Sequence, residues 1–83
     1  MRLDKFLKVS RLVKRRSVAN EICSSGRVQL NGRPAKPGAE IKPGDILEIA
    51  FGQGTTKVKI LELKGVVRKE QAQSLYEIIE NGR

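Results

Sequence analysis

The chain has 83 residues, with 17 lysines and arginines against nine acidic residues, a net charge of +8. It holds no histidine, no tryptophan and one cysteine, and only 4% of it is aromatic. That length fits one domain, and those counts exclude an intrachain disulfide framework, a Cys/His zinc site and any catalytic set built on histidine.

From Arg2 to about Val9 the sequence predicts a short helix. Leu3, Phe6 and Leu7 form one apolar stripe at i, i+3 and i+4, with Arg2, Lys5 and Lys8 on other faces. Two turns do not persist alone, so this helix must pack. Ser10 to Lys14 connects it to a second helix, with Leu12 and Val13 tucked onto the core. The second helix spans about Arg15 to Ser25. Val18, Ala19, Ile22 and Cys23 make its apolar stripe, and Arg16, Asn20 and Ser24 line a different face. Gly26 follows, where a left-handed residue commonly ends a helix.

Strands come next. Val28–Leu30 alternates, Asn31-Gly32 is a two-residue hairpin signal, and Arg33–Lys36 returns, with Pro34 implying a sheet edge or a poorly paired position. Lys42-Pro43-Gly44-Asp45 suits a type II turn. Ile46–Phe51 reads as a mostly buried strand that Gly52-Gln53-Gly54 breaks. Thr56–Leu63 alternates too, and its buried face stays open: Val58, Ile60 and Glu62 lie on one side, Lys57, Lys59 and Leu61 on the other. Lys69–Glu80 carries Ala72, Leu75, Tyr76 and Ile79 at helical spacing and reads as a final helix, nearly neutral and so structural or protein-facing. The fold class is α+β, two short N-terminal helices and a hairpin on a small twisted sheet, with a C-terminal helix, all in one domain over 1–83. No apolar run reaches the ~18 residues of a membrane span, and the N-terminus is too interrupted by charge for a signal peptide.

The charge is segregated. Residues 1–36 carry ten basic side chains and two acidic ones, whereas residues 37–83 carry seven of each. A solubilising surface mixes both signs, and an excess confined to one segment predicts a face that meets a polyanion. The candidates are Arg2, Lys5 and Lys8 on the first helix, Arg11 and Lys14 on the connection, Arg15 and Arg16 opening the second helix, and Arg27 and Arg33 flanking the hairpin. Arg15 and Arg16 oppose the helix dipole unless an anion docks there. Asp4 has a structural role open to it, pairing with Lys8 or accepting bonds near the helix start, and a functional one, orienting Arg2 or Arg16 toward RNA. Phe6, Phe51 and Tyr76 all fit core positions, which leaves few platforms for base stacking and favours folded RNA read by shape and phosphate position. Cys23 is a small core residue. No nucleophile has a base beside it, so the chain is expected to be no enzyme and to need no metal or cofactor. A helix-turn-helix-like DNA binder and a protein adaptor using the neutral half are the other readings.

The stretches R-L-D-K-F-L-K-V, then R-R-S-V-A-N-E-I-C-S-S-G-R-V-Q-L-N-G, then I-K-P-G-D-I-L-E-I resemble the S-four RNA-binding domain family over residues 2–50. The resemblance implies an αL-type motif whose two helices form the RNA face beside the hairpin. Arg2, Asp4 and Lys5 match its first-helix motif, and Arg16 matches its second-helix arginine. Lys14-Arg15 departs from the Ser-Thr that many members carry there, which puts the usual helix cap in doubt. Short stand-alone members of ribosome-associated quality control are the most similar branch. They imply a cytoplasmic, monomeric factor on obstructed large ribosomal subunits, with large-subunit ribosomal RNA and peptidyl-tRNA as ligands. They also imply a NEMF-type partner, RqcH, and support of C-terminal alanine tailing. A heat-shock-type factor that recycles such subunits is the related alternative.

Overall fold

The structure, a computed structural model, describes every residue except Gln53 and Arg83, and leaves the side chains of Asn81 and Gly82 aside. Helix α1 spans Leu3–Val9 and α2 spans Arg16–Ser24. Leu3, Phe6 and Leu7 of α1 are fully buried, as their spacing predicts. No side chain caps α1. Its first amides instead donate to the segment after the hairpin: Leu3 N to the Ala39 carbonyl at 2.9 Å and Asp4 N to the Pro37 carbonyl at 3.0 Å. Those bonds satisfy donors that a helix start leaves free, and they fix α1 against residues 37–40. Arg11, left-handed at φ 61°, ends the turn after α1 in a conformation that usually selects glycine.

The five strands are β1 (Val28–Leu30), β2 (Arg33–Pro34), β3 (Ile46–Phe51), β4 (Gly54–Ile60) and β5 (Tyr76–Gly82). They form one antiparallel sheet in the order β2-β1-β3-β4-β5. Asn31 and Gly32 both have positive φ, the geometry of a type I′ hairpin turn, and Pro34 lies on an edge strand, where its missing N–H costs no ladder bond. Gly44 at φ 96°, with Asp45 N bonded to the Lys42 carbonyl at 3.1 Å, makes the expected type II turn. The two turns are joined. Buried Asp45 accepts from Asn31 Nδ2 at 3.1 Å and from Lys42 N at 2.9 Å, and Asn31 Oδ1 accepts from Ile46 N at 2.9 Å.

β4 resolves the open question of its buried face: Val58 and Ile60 are fully buried. The predicted break after Phe51 is a hairpin in which Gly54 already pairs with Phe51, and Gln53 lies outside the described residues. The predicted helix over 69–80 is overturned in part. Lys69–Leu75 is a 3₁₀ helix, and Tyr76–Gly82 is strand β5 along β4. Ala72 and Leu75 are buried at a spacing of three, which suits a 3₁₀ turn. Tyr76, Ile78 and Ile79 are residue types that favour a pleated surface, and β4 would otherwise present an unpaired backbone edge. A bulge at Lys57/Val58 offsets the register there, and on this edge strand Ile78 and Ile79 are half exposed. Leu75 joins Leu3, Phe6, Leu7, Val28, Leu47, Ile49, Val58 and Ile60 in one core.

Candidate nucleic-acid interface

The α1–α2 packing puts one carboxylate between two guanidiniums. Asp4 is 2% exposed. Its Oδ1 lies 3.3 Å from Arg2 Nε and 3.4 Å from Arg16 Nη2, and its Oδ2 accepts from Arg2 Nη2 at 3.3 Å. The ion-pair partners of Asp4 are thus Arg2 and Arg16, the arginines that the orienting reading names. Burial alone would raise the Asp4 pKa. The Arg16 guanidinium, through charge and hydrogen bond, and then Arg2 outweigh it and hold the carboxyl below its ordinary value. The clasp leaves the arginines available. The contacts are longer than the ~2.8 Å of a tight charge-assisted bond. Each guanidinium side chain stays about half exposed, with most of its five donors unspent.

Arg2 also lies beside Gly38 and lines a groove with Asn20, Ser24, Arg33 and Lys36. Asn20 and Ser24 of the α2 stripe therefore face the hairpin and the loop that follows it, and Arg16 reaches the same groove through Asp4 and Arg2. Lys36 joins this groove although it was not singled out in the sequence. Its signal was there, as the last cation of the basic segment.

The other predicted site residues do not converge on this groove. Lys5 sits beside Gly65, and Lys8 and Arg11 line a shallow groove with Gly65, Val66 and Val67. Arg27 is exposed just before β1, its backbone joined to Ile22 and Ala50. Lys14 and Arg15 border an apolar groove with Leu12, Val18, Ile22 and Phe51. Arg15 is the N-cap residue of α2 and makes no side-chain cap bond, consistent with the doubt its sequence raised. The aromatic expectation is corrected at one position. Phe6 is buried and Tyr76 is packed against the core, but Phe51 is 40% exposed. It continues the inward row of Leu47 and Ile49 past the cover of the helices, and Gly54 opposite it offers no side chain to shield the ring. Cys23 is buried as expected, and burial, with Asp4 nearby, pushes its thiol up to about 11.

Among the described residues no group of histidine, cysteine and carboxylate side chains could hold a metal ion, and no helix is long and apolar enough to cross a membrane. The family profile of the S4 domain matches residues 1–47. The chain is 56% identical to the RQC P-site tRNA stabilizing factor of Halalkalibacterium halodurans over 94% of its own length and 89% of that protein's. It is 50% identical to the factor of that name from Bacillus subtilis, over 96% and 93%. Among solved structures it is similar to the trimeric heat shock protein 15 of Vibrio cholerae, at 32% identity and a TM-score of 0.88, covering 94% of this chain and 80% of that one.

Proposed function

The chain belongs to the S4 domain family, in the group of the RQC P-site tRNA stabilizing factors, and from that premise we propose that it is a non-enzymatic RNA-binding factor of ribosome-associated quality control. It binds large-subunit ribosomal RNA and peptidyl-tRNA on obstructed large ribosomal subunits and stabilises the tRNA in the P site. In this role it acts in the cytoplasm as a monomer and supports alanine tailing by the NEMF-type partner RqcH. It works by favouring one arrangement of its ligands rather than by chemistry.

The observation that carries the reading is the Arg2–Asp4–Arg16 clasp. Two guanidiniums held by a buried carboxylate are oriented before RNA arrives, so less side-chain entropy is lost on binding. Arg33 and Lys36 across the groove extend the same positive surface. Lys5, Lys8 and Arg11 on one side, and Lys14 and Arg15 on the other, supply further phosphate contacts, with Arg27 the most peripheral. Phosphate contacts of this kind set position and affinity.

The test is binding to purified large subunits with and without peptidyl-tRNA, across a salt series. If about five phosphates are neutralised, the log–log salt slope is roughly −3.5 to −4.5. Arg16→Ala is expected to weaken binding while leaving a cooperative unfolding transition. A slope near zero, or a preference for duplex DNA over structured RNA at matched salt, rejects the reading. The likeness to heat shock protein 15 favours a second reading, recycling of subunits that carry peptidyl-tRNA. Release of those subunits without any effect on tailing would select it.

A further inference from the structure

The opposite side of α2 holds a feature that phosphate binding does not use. Val18 and Ile22, one turn apart, form a wall with Leu12, and the Phe51 ring closes it from the sheet. Val18 is 41% exposed and Phe51 40%. Lys14 and Arg15 stand at its border, and no carboxylate lines it among the described residues. The occupant that such a groove suits is apolar or planar and carries negative charge.

Size separates the candidates. A stable protein interface takes roughly 20–30 residues a side, whereas this groove is five apolar side chains, Val13 with the four above, and two cations. One nucleotide matches it: a flat base against the ring and aliphatic wall, with its phosphate on Arg15 or Lys14. Continuity points the same way, because Arg15 of this groove and Arg16 of the clasp are consecutive residues at the start of α2. We infer that the Leu12–Val18–Ile22–Phe51 groove receives an unstacked nucleobase of the RNA that the Arg2–Asp4–Arg16 clasp grips. The inference rests on the RNA-binding reading above and adds to it a contact that senses bases and discriminates single-stranded from paired RNA.

The probes are an oligoadenylate and a matched abasic ribose-phosphate oligomer of the same charge. Unaltered protein is expected to bind the oligoadenylate about five- to a hundredfold more tightly, the span one stacked base supports. Phe51→Ala should erase that preference, and Phe51→Trp should keep it. Arg16→Ala should weaken both oligomers alike. Thermal unfolding of each variant checks the fold, and the comparison of the two oligomers on unaltered protein needs no variant. Equal affinity for both oligomers, or a preference that survives Phe51→Ala, overturns the base groove while the clasp stands. Failure to bind either oligomer overturns the base groove, and salt-independent binding to large subunits, or none, overturns the RNA reading itself. A Phe51→Ala protein that binds both oligomers like the parent but no longer sediments with large subunits assigns the groove to a protein instead.

Discussion

Along α2 the buried line of Ala19 and Cys23 separates two flanks of different chemistry. One flank carries Arg16, which pairs with Asp4, and Asn20 and Ser24, which line a groove with Arg2, Arg33 and Lys36. The other carries Val18 and Ile22 and faces Phe51, with Arg15 and Lys14 at its rim. Both are cationic, but only the first has its charge fixed in place by a buried counter-charge. The difference makes Asp4 the residue on which the proposed interface can be tested. A surface that needed only positive potential would be stronger without it. A surface that needs two guanidiniums at a set separation is stronger with it, despite losing one unit of net charge.

Replacing Asp4 tests that directly. Asp4→Asn raises the net charge, so potential alone predicts tighter RNA binding. Orientation predicts the reverse, a loss of about tenfold, or ~1.4 kcal/mol, with a stability cost of about 1–2 kcal/mol from the lost charge-assisted bonds. RNA titration and urea unfolding of the variant read both. Tighter binding would remove Asp4 from the interface and leave it a folding residue.

Acid should act on the same group. The native Asp4 pKa lies below its unfolded value. Its stabilisation is therefore complete above the ordinary carboxylate range and is lost as pH falls through the native value. The urea midpoint should drop more for the parent than for Asp4→Asn between about pH 6 and about pH 3. Parallel curves would mean that the clasp adds nothing to the fold.

The smallest effect belongs to the divide between the flanks. Cys23, buried and with its thiol at about 11, should resist a thiol reagent at about pH 8 in the native protein and react at once in denaturant. Fast native labelling would show that the two flanks can part.

The N-terminal half was legible in the sequence because its signals are local. Leu3, Phe6 and Leu7 repeat at helical spacing, Asn31-Gly32 and Pro43-Gly44 are turns by backbone geometry, and both turns are as expected. Local pattern failed where a long-range partner decided the outcome. Ala72, Leu75, Tyr76 and Ile79 fit a helix by spacing, yet the open edge of β4 takes Tyr76 onward as a strand. Val18 and Ile22 fit an apolar stripe, yet only Ala19 and Cys23 are fully covered, Ile22 being half-buried against the core and Val18 exposed. The ten charged positions were visible as a segment, but their division into a clasp, two side groups and an outlying Arg27 depends on how α1 meets α2 and the hairpin. No spacing rule expresses that geometry.

Asp45 and Leu75 have a consequence for portability. The S4 profile stops at residue 47, and every group in the clasp lies before it. Asp45 pins the hairpin turn at the far end of that stretch, while Val58, Ile60 and Leu75, all beyond it, complete the core on which α1 rests. The stretch that carries the clasp thus does not carry the means of holding it. Transplanted without its successor strands it would keep its cations and lose their arrangement. A host protein that borrows this motif has to provide its own floor for Phe6 and Leu7.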